Sequence, residues 1–239
     1  MSKMPPVAVL AGGRAQRMRP LTEHVPKAML EVADEPFIAH QLRLLRRQGV
    51  SRVVLCVGYL WEQIAEFVGD GDRFGLSVIY AVDGPRPLGT GGALRAALDQ
   101  LGPKFMVIYG DSWLDTPYVP IVEQFRTSGQ PALMTVFRND GQWDRSNVWF
   151  ENDRIRAYDK KMRLPQMRHI DWGLGMLTAE AVRGGRPSGE AFDLAELYGS
   201  LSRAGKLAGY EVGTRFYEIG SIEGLRETDA LLRARSHKT

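Results

Sequence analysis

Short, wholly apolar runs alternate with longer amphipathic stretches through the first half of the chain. Pro6-Val7-Ala8-Val9-Leu10-Ala11 is apolar throughout and runs into Gly12-Gly13, which predicts a buried strand closed by a tight turn. Phe37 to Gln48 carries apolar side chains at 37, 38, 42, 44 and 45, one face of a helix, with Gly49 suited to its C-terminal end. Ser51 to Val57 reads as a second buried strand, Trp61 to Val68 as a short helix and Leu76 to Tyr80 as a third strand. Gly91 to Leu101 reads as a helix, and Phe105 to Tyr109 as a fourth strand running into Gly110-Asp111-Ser112.

The second half is less regular. Val119 to Arg126 predicts a helix and Ala132 to Phe137 a strand. Asn147 to Phe150 and Arg154 to Tyr158 flank the polar turn Glu151-Asn152-Asp153 and predict a hairpin. Ile170 to Leu177 is a strand candidate, and Asp193 to Ala204 a helix with leucines at 194, 197 and 201. Leu207 to Gly213 and Arg215 to Ile219 read as short strands and Ser221 to Ala234 as a last helix, with a frayed polar end from Arg235 to Thr239. Buried strands alternating with helices predict an α/β fold, Rossmann-like, with a mostly parallel central sheet and helices on both faces. No repeat, low-complexity tract or linker interrupts the pattern, so residues 1–239 read as a single domain.

Charge narrows the partners. Lys and Arg number 31 against 28 Asp and Glu, a net +3 that demands neither nucleic acid nor an anionic membrane. A lone cysteine, Cys56, excludes an intramolecular disulfide framework and any multi-thiolate zinc site, and its place in Val53-Val54-Leu55-Cys56-Val57 suits a small core residue. His24, His40, His169 and His237 lack zinc-ligand spacing. No run approaches the roughly 18 apolar residues of a membrane span, and Val7 to Gly13 reads as a strand rather than a signal peptide. A cytoplasmic protein is the expectation.

Candidate chemistry gathers after the strands. A glycine turn behind a buried strand exposes backbone N–H groups as an anion cradle, and Arg14, Arg17, Arg19 and Lys27 follow Gly12-Gly13 closely. Residues 1–50 hold eight basic and four acidic side chains, so this segment alone exceeds the surplus of the whole chain. Neither a P-loop nor a dinucleotide fingerprint is present, and a surface loop with solvated arginines is the alternative. Pro87-Leu88-Gly89-Thr90-Gly91-Gly92-Ala93-Leu94 would let a flat ring approach the main chain, or simply open a helix. Asp111 follows an apolar strand, where α/β folds bind ligands and where a carboxylate suits magnesium; a turn aspartate is the alternative.

Leu10-Ala11-Gly12-Gly13-Arg14-Ala15-Gln16-Arg17-Met18-Arg19-Pro20-Leu21-Thr22, followed by Pro26-Lys27-Ala28-Met29, resembles the signature of the sugar-1-phosphate nucleotidylyltransferases. The resemblance is strongest over residues 7–29 and 87–111 and weakest at the acceptor segments. Ala15-Gln16 stand where the family usually has Gly-Thr. Gly89-Thr90-Gly91-Gly92 is similar to the branch containing heptose-1-phosphate guanylyltransferases and muramic-acid-type uridylyltransferases. The resemblance implies a nucleotidyltransferase fold, with a nucleotide-binding part over about residues 1–115 and an acceptor-binding part over about 116–234. It implies a nucleotide site from Leu10, Ala11, Gly12, Gly13, Arg14, Arg17, Lys27, Asp83, Gly89, Thr90 and Gly110, with the base left open between GTP, UTP, CTP, dTTP and ATP. Either Asp83 or Gly84 takes the place of the usual base-proximal acid or amide, and Gln41 is a weak candidate for the same pocket.

For the acceptor, the resemblance implies Gly91, Asp159, Lys160, Asp171 and Gly173. Asp159 replaces the family's glutamate, Lys161 its following proline, and Asp171 its asparagine. Arg168 and His169 lie just upstream as further candidates, and Trp143, Trp149 and Trp172 as apolar walls. Asp111 and Glu218 are the implied Mg2+ pair; Glu218 in Tyr217-Glu218-Ile219-Gly220-Ser221 stands for an aspartate, with structural hydrogen bonding as the rival role. Arg17, Lys27, Asp111 and Lys160 are the implied catalytic set. Expected partners are a nucleoside triphosphate and a phosphorylated acceptor, without nucleic acid or membrane; a homodimer is allowed. The implied activity is magnesium-dependent nucleotidyl transfer to a sugar 1-phosphate with release of pyrophosphate. The departures leave open a non-sugar phosphate or phosphonate acceptor, and a nucleotide-binding regulatory protein without catalysis.

Overall fold

A computed structural model describes residues 4–84, 86–143, 145–184 and 189–236. The first half contains strands β1 (Val7–Ala11), β2 (Glu31–Val32), β3 (Glu35–Pro36), β4 (Arg52–Val57), β5 (Ser77–Val82), β6 (Lys104–Tyr109) and β7 (Ser112–Trp113). Between them lie helices α1 (Phe37–Arg47), α2 (Trp61–Val68), α3 (Gly89–Ala96) and α4 (Leu98–Leu101). Helix α5 (Val119–Ser128) leads into β8 (Ala132–Arg138), β9 (Val148–Glu151), β10 (Arg154–Tyr158) and β11 (His169–Thr178). The chain closes with α6 (Ala179–Arg183), α7 (Leu194–Arg203), β12 (Leu207–Val212), β13 (Tyr217–Glu218) and α8 (Ile222–Ser236).

One nine-stranded sheet runs through both halves in the order β5-β4-β1-β6-β11-β8-β12-β10-β9. The ladders β5–β4, β4–β1 and β1–β6 are parallel, as continuous apolar strands joined by helices require. Beyond β6 the sheet is mixed: β11 is antiparallel to both β6 and β8, β12 is parallel to β8, and the hairpin β9–β10 forms the far edge. Strand residues alternate between two cores. Val7, Val9, Val53 and Leu55 pack on α1, α2 and α5; Ala8, Val54 and Cys56 pack on α3, α4, α6 and α7. Both faces are therefore covered by helices. Among the described residues, no helix is long and apolar enough to cross a membrane.

The helix expected over residues 91–101 is broken after Ala96 into α3 and α4, and the strand expected to end at Tyr80 continues to Val82. Of the expected strand over 215–219, only Tyr217 and Glu218 pair, antiparallel to Trp113 and Ser112 of β7. Arg215 is instead stacked over Trp143, 3.8 Å from the ring centroid, and paired with Glu227. Helix α8 includes Arg235, while residues 237–239, and with them His237, lie outside the described residues. This helix is tied to the β2–β3 turn: Asp229 Oδ1 accepts from Ala33 N at 2.7 Å, and Arg233 makes a two-pronged ion pair with Asp34.

Candidate active site

The chain order fixes where a ligand belongs. From β1 the sheet grows outward through β4 and β5, then returns to place β6 on the other side of β1. Ligands of α/β sheets bind beyond the carboxyl ends of the strands at such a reversal. A cavity of about 240 Å³ opens there, between Leu10–Gly13 after β1 and Tyr109–Asp111 after β6. Lys27, Asp83, Gly89 and Thr90 complete its walls, so nearly all the nucleotide residues implied by the resemblance meet. A side chain at Gly110 would come within 2.8 Å of Ala11 Cβ and 3.0 Å of Leu10 O, so only glycine lets the two strand ends close. Cys56 lies in the wall and is buried, and burial pushes its thiol up to about 12.

Arg14, Arg17 and Lys27 line an adjoining cavity of about 420 Å³ with Gly220, whereas Arg19 is exposed and lines neither. The turn carrying the arginines is held by Ala15 O, which accepts from Met18 N and Thr22 Oγ1, each at 2.9 Å. Ala15 itself is left-handed, at φ 46° and ψ 41°, a conformation that costs an L-residue roughly 1–2 kcal/mol and that glycine adopts freely.

Asp111 is fixed from two sides. Lys27 Nζ donates to Asp111 Oδ2 at 2.9 Å. Gln41, buried on α1, donates from Nε2 to Tyr109 O and to Ser112 O, both at 2.9 Å, and so clamps the two carbonyls that bracket Gly110-Asp111. The pairing of β13 with β7 then brings Glu218 opposite Ser112, and Ile219 N donates to Asp111 O at 2.9 Å. The Glu218 carboxylate accepts from Gly220 N and, at 2.8 Å, from Ser221 Oγ. Gly220 marks the convergence. A methyl group there would strike Glu218 Oε2 and lie 3.4 Å from Asp111 Oδ2 and 3.5 Å from Lys27 Nζ. Two carboxylates and one ammonium thus surround one point. Among the described residues, no group of three or more His, Cys, Asp or Glu side chains gathers as a metal cluster.

At the far end of the nucleotide cavity it is Asp83, rather than Gly84, that faces the space. Burial pushes its carboxyl above the usual range, and a hydrogen bond from Leu88 N opposes the shift. The Gly-Thr-Gly-Gly segment behaves differently from expectation. Gly91 N and Gly92 N both donate to Phe192 O, at 2.9 and 3.2 Å, and a side chain at Gly91 would collide with the Phe192 ring. Gly91 is therefore buried under Phe192 and apart from the cavity, described below, that holds the other implied acceptor residues. Gly89 and Thr90 do reach the nucleotide cavity, and Thr90 Oγ1 accepts from Leu194 N at 2.8 Å. Asp193, missed in the sequence, lines the same cavity from the N-terminus of α7. Its spacing from Glu196 signals a capping box and nothing of the tertiary contact.

A larger cavity, about 650 Å³, lies on the other side of Tyr109 and holds Arg17, Asp159, Lys160, Asp171 and Gly173. Lys160 Nζ stands 6.0 Å from the centroid of the Tyr109 ring. Asp171 Oδ1 accepts from Gly173 N at 3.0 Å, and Tyr158 OH donates to Oδ2 at 3.4 Å. Burial pushes the Asp171 carboxyl up, while the Lys160 charge pulls it down. Asp159 turns back on its own loop. Its Oδ1 accepts from Met162 N at 2.9 Å and Lys161 N at 2.7 Å, which hold the carboxyl below the usual range. Arg168 and His169 stay outside this cavity; His169 Nε2 lies 3.1 Å from Glu211 Oε1 and its ring edges onto Phe150. Of the tryptophans, Trp172 is buried and donates to Thr214 O at 2.7 Å, while Trp143 is 50% exposed. Gln41 serves the Asp111 turn and lines neither cavity.

The family model for Nucleotidyl transferase matches residues 7–145 of this chain. UTP--glucose-1-phosphate uridylyltransferase of Synechocystis is 27% identical over 235 residues, covering 90% of this chain and 60% of that protein. N-acetylmuramate alpha-1-phosphate uridylyltransferase of Neisseria meningitidis is 37% identical over 111 residues, covering 46% of this chain and 48% of that one. The chain thus spans about half to three-fifths of these curated relatives. Among solved structures, HddC from Yersinia pseudotuberculosis complexed with GMP-PN superposes with a TM-score of 0.81 at 23% identity, covering 96% of this chain and 100% of that one.

Proposed function

The chain belongs to the nucleotidyl transferase family, and from that premise we propose that it transfers a nucleotidyl group from a nucleoside triphosphate to a sugar 1-phosphate, releasing pyrophosphate. The observation that carries this reading is that Tyr109 lines both cavities, with Asp111 and Lys27 on the smaller one's side of it and Arg17 and Lys160 on the larger one's. A nucleotide in the smaller cavity and a phosphorylated acceptor in the larger would present their phosphates to one another there.

An acceptor phosphate oxygen attacks the α-phosphorus, and the bond from that phosphorus to the bridging oxygen of the β-phosphate breaks. The electron pair leaves with pyrophosphate. A phosphate monoester is already nucleophilic, so the residues position and neutralise rather than activate. Arg17 and Lys27 balance the charge that grows on the leaving pyrophosphate, and Lys160 holds the acceptor phosphate. Asp111 and Glu218, two hard oxygen donors flanking Gly220, suit magnesium and would hold it. When bound, the ion supplies Lewis-acid neutralisation of the phosphates. The chain would act on small molecules in the cytoplasm.

The test is a matrix of nucleoside triphosphates against phosphorylated acceptors, with and without Mg2+, read as pyrophosphate release. Release that needs all three components is the expected result; equal release without any acceptor would sink the transferase reading. A second reading, transfer to a phosphorylated acceptor that is not a sugar, draws on Asp159. Its Oδ1 is committed to two amides of its own turn instead of to a sugar hydroxyl.

A further inference from the structure

Tyr109, at the end of β6, lines the nucleotide cavity, the acceptor cavity and a further cavity that holds Glu218 and Trp143. Phe105 and Val107 of the same strand pack in the core beneath α3 and α7, and the alternation of a strand turns Tyr109 to that face. Gln41 takes up its carbonyl, but among the described residues nothing bonds its hydroxyl. Other tyrosines are committed to the protein: Tyr59, Tyr80 and Tyr118 donate to main-chain carbonyls, and Tyr158 to Asp171. A polar group held in a largely buried wall without a partner costs stability and calls for a reason outside the packing. Burial, with the charges of Asp171, Asp111 and Asp193 around it, pushes the phenol well above its usual range, so it keeps its proton and can donate. The oxygen it donates to belongs on the acceptor side. Of the three carboxylates, Asp171, which lines the acceptor cavity, weighs most on the phenol. Lys160, which the transferase reading gives to the acceptor phosphate, lies over the Tyr109 ring, 6.0 Å from its centroid.

We propose that Tyr109 contacts the substrate: its hydroxyl donates a hydrogen bond to an oxygen of the bound acceptor, while its ring stands between the acceptor and the nucleoside. The inference rests on the transferase reading and adds a residue to its acceptor site. The bond orients the acceptor against the α-phosphorus, so its loss falls on the use of the acceptor and spares nucleotide binding.

Tyr109→Phe tests it, because it keeps the ring and removes only the hydroxyl. Pyrophosphate release is followed with glucose 1-phosphate, mannose 1-phosphate and N-acetylglucosamine 1-phosphate, each with the nucleoside triphosphate that supports turnover. In the variant, kcat/KM for the acceptor should fall about tenfold, the size of one hydrogen bond to a ligand. The Kd of the nucleoside triphosphate, measured without acceptor, should stay at the parent's value. The melting temperature of the free protein should not fall, because the hydroxyl has no protein partner to lose. Parental acceptor kinetics in the variant overturn the inference while keeping nucleotidyl transfer. So does a loss that appears in the nucleotide Kd, which would give the hydroxyl to the nucleotide. A lower melting temperature overturns it as well, by giving the hydroxyl a role inside the fold. Absence of pyrophosphate release from the parent with all three acceptors removes the transferase reading and the inference together.

Discussion

Lys27 and Asp111 are 84 residues apart in sequence, yet Lys27 Nζ donates to Asp111 Oδ2 at 2.9 Å at the mouth of the nucleotide cavity. Both side chains stay partly open, at 21% and 28% exposure, so the pair remains within reach of a ligand. An ion pair still open to solvent adds little to stability, typically about 0–1 kcal/mol. Its placement between the nucleotide cavity and the adjoining cavity lined by Arg14 and Arg17 matters more. Lys27→Met should keep the fold, with a small change in melting temperature, and lower turnover about a hundredfold or more by removing charge stabilisation of the leaving group. A large melting shift with turnover intact would make the pair structural.

Gln41 governs the same carboxylate from behind. Its two hydrogen bonds hold the carbonyls on either side of Gly110-Asp111. Gln41→Met keeps the volume but leaves both carbonyls without that donor, at a cost of about 1–3 kcal/mol for buried groups. Because the turn aims Asp111, kcat should fall about tenfold while KM for the acceptor changes little. Loss of stability with kcat unchanged would reduce Gln41 to a brace.

Much of this was legible in the sequence, and the exceptions share a cause. Val7–Ala11, Arg52–Val57 and Lys104–Tyr109 are buried on both faces, so their apolar runs announce themselves, and the glycine or carboxylate after each marks the ligand edge. A strand of two residues carries no periodicity, which hid β7 and with it the pairing to β13 that sets Glu218 opposite Ser112. Ala33 and Asp34, both at positive φ, turn β2 into β3 without the usual glycine signal. Gly91 shows the converse error. Its smallness is needed by the Phe192 ring, a contact 101 positions along the chain that local sequence does not encode.

Two roles compete for Glu218, the proposed metal ligand and a local brace, and one substitution separates them. Its oxygens accept from Gly220 N and Ser221 Oγ at the start of α8, and the same carboxylate flanks Asp111. Glu218→Gln keeps the shape and removes the charge. If Glu218 helps hold magnesium, a kinetic titration should need about tenfold more metal, equivalent to ~1.4 kcal/mol. A purely local role predicts a lower melting temperature with an unchanged metal dependence.

With the proposed acceptor in the larger cavity, Asp171 would couple acceptor recognition to pH. Burial raises its carboxyl above the ordinary value of 3.8, so the proton is held to a higher pH in the folded protein than in the unfolded chain. Its contribution to stability is therefore fully present below the unfolded pKa and is lost as pH rises through the folded one. Asparagine carries no charge and can still accept from Gly173 N as Asp171 Oδ1 does. Asp171→Asn should thus melt no lower than the parent at pH 7, and its relative gain should vanish below the unfolded pKa. An ionised carboxylate only accepts hydrogen bonds, so acceptor hydroxyls are its natural donors. Replacing it should reduce kcat/KM for the acceptor by roughly tenfold to a hundredfold. KM for the nucleotide should hold, since the cavity beside Asp83 and Thr90 lies across Tyr109. A variant that melts lower at pH 7 and keeps the parent's ratio between two competing acceptors would assign Asp171 to bracing the Gly173 turn alone.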